Sequence, residues 1–150
     1  MTNPIRFTLL ESARWQDYEL LDSGDGLKLE RFGNYTFVRP ESQAMWKPSL
    51  TNEWKQAHAV FVPTGEESGG HWDFKKKIEE KWKMKYPLRF DYGAEKHSAS
   101  AQREASIQFW AMTTPGRHLG VFPEVAAHWD WCSELVHHGV NEEHREINIL

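Results

Sequence analysis

The chain has 150 residues, enough for one ordinary domain with a core of its own. Only 39% of its residues are apolar, but eight Trp and eight Phe make them large, which argues against a disordered chain. A net charge of −4 excludes a generally basic nucleic-acid binder, so any such contact needs a local patch, and the single Cys132 excludes an internal disulfide.

A lone cysteine fits a reducing compartment. There is no charged-then-apolar leader and no apolar run near about 18 residues, so a cytoplasmic soluble protein without membrane contact is expected. Residues 1–16 read as a lead-in, followed by a domain over 17–139. "YELLDSGDGLKLERFGNYTFVRP" predicts a β-meander: Tyr18 to Leu21, then Leu27, Leu29 and Arg31 alternating with Lys28 and Glu30, then Tyr35, Phe37 and Arg39 alternating with Thr36 and Val38. The stretch from Asp22 to Gly26 is dense in residues that tolerate positive φ, and lacks the ligand spacing of a calcium loop. Residues 41–58 carry Trp46 and Trp54 among polar residues and predict short helix or irregular chain. "AVFV" at 59–62 predicts a buried strand ended by Pro63, and 64–70 a flexible loop.

Residues 75–85 hold six Lys and two Glu, a local charge of +4. Phe74, Ile78 and Trp82 recur at helical spacing, so a helical turn or two is possible before "KMKYPLRF" turns strand-like. Lys75, Lys76 and Lys77 beside Trp82 could bind RNA, lysines on phosphates and indole on a base; the alternative is a solvated basic face. Residues 93–105 are small and polar and predict a mobile loop, and "SIQFWAM" predicts a strand buried on both sides. The chain then turns through "TTPGRHLG" into the firmest helix, opened by Pro123 and Glu124, with Val125, Trp129, Cys132 and Val136 as its apolar stripe and Gly139 as its cap. The elements make an α+β pattern, a small and mostly antiparallel sheet domain with one late helix.

Little of this carries catalytic chemistry on its own. His137 and His138 diverge by about 100° on a helix, and no zinc or nucleotide motif is present, so no metal site is expected. Cys132 and His128 share a helical face, but a mid-helix thiol on the apolar stripe reads as buried and structural. The loop before the helix is the most specific feature: backbone donors are free at a helix start, and Leu119, Val121 and Phe122 suit an aromatic ligand face better than a phosphate.

"YELLDSGDGLKLERFGNYTFVRPESQAMW" and "GRHLGVFPEVAAHWDW" together resemble the N-terminal part of bacterial class I S-adenosylmethionine-dependent methyltransferases related to the large-subunit rRNA cytosine methyltransferases. The resemblance spans roughly residues 17–48 and 106–132. It implies a substrate-side domain preceding a Rossmann-like catalytic domain, with the cofactor S-adenosyl-L-methionine lying under a loop formed here by Arg117, His118, Leu119, Gly120, Val121, Phe122 and Glu124. Val125 stands where the family's loop has Gln, and 93–105 is longer than the family pattern. Residues 140–150, ending in "INIL", would be the connector and first strand of that catalytic domain, whose catalytic residues would lie beyond Leu150. The expectation is therefore a methyltransferase acting on RNA as a whole protein, its own catalytic domain the partner of this stretch, which alone would be inactive. The alternative is a stand-alone RNA-binding or interaction module without catalysis.

Overall fold

A computed structural model describes residues 9–65, 69–88 and 106–141, with backbone alone at 137, 138, 140 and 141. The expected loop at 93–105, the first half of the lead-in, the "INIL" strand, and the side chains of His137 and His138 lie outside the described residues.

The expected meander forms as β1 (Tyr18–Gly24), β2 (Leu27–Phe32) and β3 (Tyr35–Pro40), all antiparallel. The β1–β2 turn is confined to Asp25 and Gly26, with φ of 51° and 77°; both central residues in the left-handed region match the twist of a two-residue hairpin. Asp22 lies before that turn and inside β1. Its carboxylate accepts from the indole of Trp54 (2.8 Å) and the amides of Leu50 (2.8 Å), Ser49 (3.0 Å) and Ser23 (2.9 Å). These donors, Trp54 first, hold the Asp22 pKa below its ordinary value. They also fasten the irregular 41–58 segment, with its short α1 (Asn52–Lys55), across one sheet face, where its Trp54 and Ala57 pack with Leu29 and Val38.

β4 (Ala59–Pro63) pairs with β3 in parallel and with β5 (Gly70–Phe74) antiparallel, completing a five-stranded sheet in the order β1-β2-β3-β4-β5. β5 follows the loop expected at 64–70, overlapping it only at Gly70, and was not itself expected. The expected helical turn through Phe74, Ile78 and Trp82 does not form: Phe74 ends β5 and Trp82 opens β6 (Trp82–Pro87). β6 pairs antiparallel with β7 (Ser106–Ala111) as a separate ribbon. The α+β class and mostly antiparallel sheet hold.

The main core lies between the sheet's second face and the ribbon. Phe32, Phe37 and Ala59 meet Trp82, Met84 and Ala111, and Leu119 and Val121 from the following loop are buried with them. Phe37 stacks on Trp82 with ring centres 5.6 Å apart. A 3-10 turn (Pro123–Val125) leads into α2 (Ala126–Asn141). The expected stripe holds in part: Trp129 packs against the core, Val125 and Val136 are half-buried and Ala126 and Ala127 are buried, whereas Cys132 is exposed and is no core thiol. Asp130, half-buried on the same helix, takes the hydroxyl of Tyr86 (2.5 Å) and pairs with Arg14. Gly139 lies within the helix and does not cap it. At the lead-in, Trp15 packs on Tyr86, Phe109 and Trp129. No helix among the described residues is long and apolar enough to cross a membrane.

Candidate functional site

The segment from Met112 to Val125 joins the ribbon to α2 and is fastened along its length. The indole of Trp72 donates to the carbonyls of Thr114 (2.9 Å) and Gly116 (3.1 Å). Thr114 Oγ1 donates to the carbonyl of His118 (2.8 Å), and the Met112 amide to that of Leu119 (3.2 Å). Leu119 and Val121 are plugged into the core; Leu119 is fully buried, whereas Val121 still lines the cavity beside the loop. Gly120, at φ 85°, reverses the chain between these two anchors in a conformation that favours glycine. The indole of Trp15 then takes the carbonyl of Pro123 (2.9 Å). What remains outward is Arg117, His118, Gly120, Phe122 and Glu124, with the His118 and Phe122 rings 4.9 Å apart.

Beneath the loop lies a charge pair absent from the sequence reading. Arg39 shares the face of Phe37, as its alternation predicts, and Glu30 that of Phe32; both charged residues are buried. Arg39 makes a two-pronged contact with the Glu30 carboxylate (2.7 and 2.8 Å) and spends a further N–H on the carbonyl of Arg117 (3.1 Å). Tyr18 donates to Glu30 Oε1 (3.0 Å), and burial followed by that carboxylate pushes the Tyr18 phenol well above its ordinary range. Two sheet residues nine positions apart thus set the height of the loop. Their only sequence signal is opposite charge on facing strands of a hairpin.

Between the loop and the ends of β2 and β3 is a cavity of about 220 Å³, lined by Lys28, Arg39, Glu41, His118, Phe122 and Glu124 among others. That is smaller than the roughly 300–1,000 Å³ of pockets that enclose a whole drug-sized ligand, so this surface suits one side of such a molecule. Burial first, then Arg117, Arg39 and Lys28, lower the His118 pKa, against a weaker opposite pull from Glu124, so its imidazole is neutral at pH 7. A neutral aromatic pair beside the Glu124 carboxylate can meet a flat base and tolerate a nearby positive charge.

The expected RNA residues are dispersed. Trp82 is only 5% exposed, so its indole cannot stack on a base as placed. Lys75 pairs with Asp73, and Lys76 Nζ donates to the carbonyl of Gln56; Lys77 is exposed. Strand alternation explains the outcome: Trp82, Met84 and Tyr86 face inward while Lys83 and Lys85 face outward. Among the described residues, no three His, Cys, Asp or Glu are grouped to hold a metal.

The fold has a close counterpart among solved proteins. The chain is similar to the SAM-dependent methyltransferase from Agrobacterium tumefaciens. The two share 36% sequence identity and superpose with a TM-score of 0.60 over 81% of this chain. The match covers 33% of the methyltransferase, so the chain spans about a third of that protein's length. No protein-family profile matches the chain, and no curated protein matches it.

Proposed function

We propose that this chain is the substrate-side part of a methyltransferase that uses S-adenosylmethionine and acts on RNA, with the loop from Arg117 to Glu124 lying against the methyl donor. The observation that carries the reading is the likeness, at 36% identity, to a SAM-dependent methyltransferase over 81% of this chain. The cofactor supplies an electrophilic methyl group on a positively charged sulfur. The chain's own part is to present the Phe122 and His118 rings to the donor's flat or apolar side and to keep water from it. Arg39 holds the loop at a fixed height, so this face is preorganised and little ordering entropy is lost on closure. The reaction itself belongs to residues outside this chain.

Chemical-shift mapping tests the reading. Millimolar S-adenosylmethionine is expected to move the ring signals of Phe122 and His118 and to leave those of β5 unmoved. No movement at the loop at saturating cofactor would refute the assignment. Micromolar affinity for the isolated chain, measured by calorimetry, would contradict the division of the site, because this face should hold only one side of the molecule.

A further inference from the structure

The outward face of the β6–β7 ribbon exposes an aromatic ring where a polar surface would be expected. Trp110 is 47% exposed and Met112, on the same face, is 41% exposed. Lys81 and Lys83 place their ammonium groups 5.1 and 5.4 Å from the centre of the Trp110 ring. Trp110 sits directly across from Lys83, and Gln108 across from Lys85, so indole, amide and lysines share one face. Among the described residues, Lys81, Lys83 and Lys85 form no ion pair. Among the described residues, Glu79 lines a small cavity with Lys83, and Asp17 accepts the backbone N–H of Lys85 (2.8 Å).

We infer that this face is a docking platform for single-stranded RNA, one base stacking on Trp110 while Lys81, Lys83 and Lys85 neutralise the flanking phosphates. Lysines alone would be explained as solubilising a two-stranded ribbon. A half-exposed indole between unpaired ammonium groups is not, and a planar ring flanked by mobile positive charges is the combination that single strands recognise. Exposed cation–π contacts are weak, so the ammonium groups can swing to phosphates and free the ring face. The platform is joined to the loop: the Met112 amide, one residue past β7, donates to Leu119 (3.2 Å). The choice of RNA rests on the proposed methyltransferase reading; the stacking chemistry rests on the ribbon.

Fluorescence anisotropy of a labelled, unstructured RNA 12-mer in low salt, titrated with the 150-residue chain, tests it. Trp110→Ala should weaken binding roughly five- to 150-fold, the range that one base stacked on an aromatic ring is worth, while Trp110→Phe keeps most of the affinity. Lys83→Glu should weaken binding and flatten its salt dependence, and Lys75→Glu should change it little. An RNA duplex, with no unstacked base to offer, should bind more weakly than the single strand. Unchanged affinity in Trp110→Ala, equal binding of the duplex, or preference for an acidic peptide over RNA would each overturn the platform. Circular dichroism of each variant separates lost binding from lost fold. A chain that binds RNA through Trp110 while the loop ignores S-adenosylmethionine would uphold the platform and refute the methyltransferase reading.

Discussion

Replacing Arg39 with Met removes the cation from a buried pair and leaves the Glu30 carboxylate behind. The two side chains are 7% and 1% exposed, so solvent does little to stabilise the orphaned charge. Removing one partner of a buried pair costs about 3–5 kcal/mol. Two contacts soften the loss here: Tyr18 still donates to Glu30, and Lys28 Nζ stands 3.6 Å from Glu30 Oε1. The lower end, about 3 kcal/mol, is therefore expected. For a domain of this size that lowers Tm by about 6–12 °C. The double variant Glu30→Gln with Arg39→Met carries no buried charge and should lie within about 1–2 kcal/mol of the wild type, more stable than Arg39→Met alone. Urea unfolding followed by tryptophan fluorescence gives both values. Amide exchange at Met112 reports the loop separately, and should quicken in Arg39→Met because the Arg117 carbonyl has lost its anchor. A loss under about 1 kcal/mol, or a double variant weaker than the single, would refute the role given to this pair.

Gly120→Ala should destabilise by about 1–2 kcal/mol from backbone strain alone, since the added methyl would find its nearest atom, the Trp110 carbonyl oxygen, at an unstrained 3.7 Å; no loss on thermal melting would contradict the left-handed turn. Burial first, then the Asp130 carboxylate, push the Tyr86 phenol up to about 12. The folded state therefore holds this proton longer than the unfolded chain, so the stability it contributes is intact below pH 10 and is lost as pH rises through about 12. Absorbance at 295 nm should show late phenols from Tyr86 and Tyr18, of which Tyr86→Phe removes the earlier, and ionisation of Tyr86 near 10 would contradict the buried contact. His118 has the opposite linkage: its lowered pKa means that stability is present above its ordinary 6.5 and declines as pH falls through its folded value. An NMR titration midpoint at or above 6.5 would show that the loop does not shield it.

The meander was legible because its signals are local: an Asp-Gly pair between alternating strands needs no other part of the chain. β5 was not, because His71, Trp72 and Asp73 show no apolar alternation, and the strand exists through its ladder with β4. The parallel pairing of β3 with β4 is likewise non-local. Alternation placed Arg39 with Tyr35 and Phe37, and Glu30 on the face opposite to Leu27 and Leu29, but that the two charges pair with each other in the core is visible only in the folded sheet. Trp82 was misplaced by a helical spacing that competed with a clearer alternation of Lys with Trp, Met and Tyr. On β7 the alternation was read correctly, but the expected burial of both faces is not met: Ala111 is buried, whereas Trp110 on the other face is exposed. The loop at 117–124 was located from sequence as a segment, whereas its division into buried Leu119 and Val121 and outward His118 and Phe122 required the core beneath it.

The central claim is most directly tested by radiolabelled methyl transfer from S-adenosylmethionine to unmodified RNA, using the protein that carries this chain as isolated from its own cells. The account predicts transfer, with kcat/KM reduced about tenfold or more by Phe122→Ala through loss of loop contact with the donor. Absence of transfer to RNA, or a Phe122→Ala protein as active as the wild type, would contradict it.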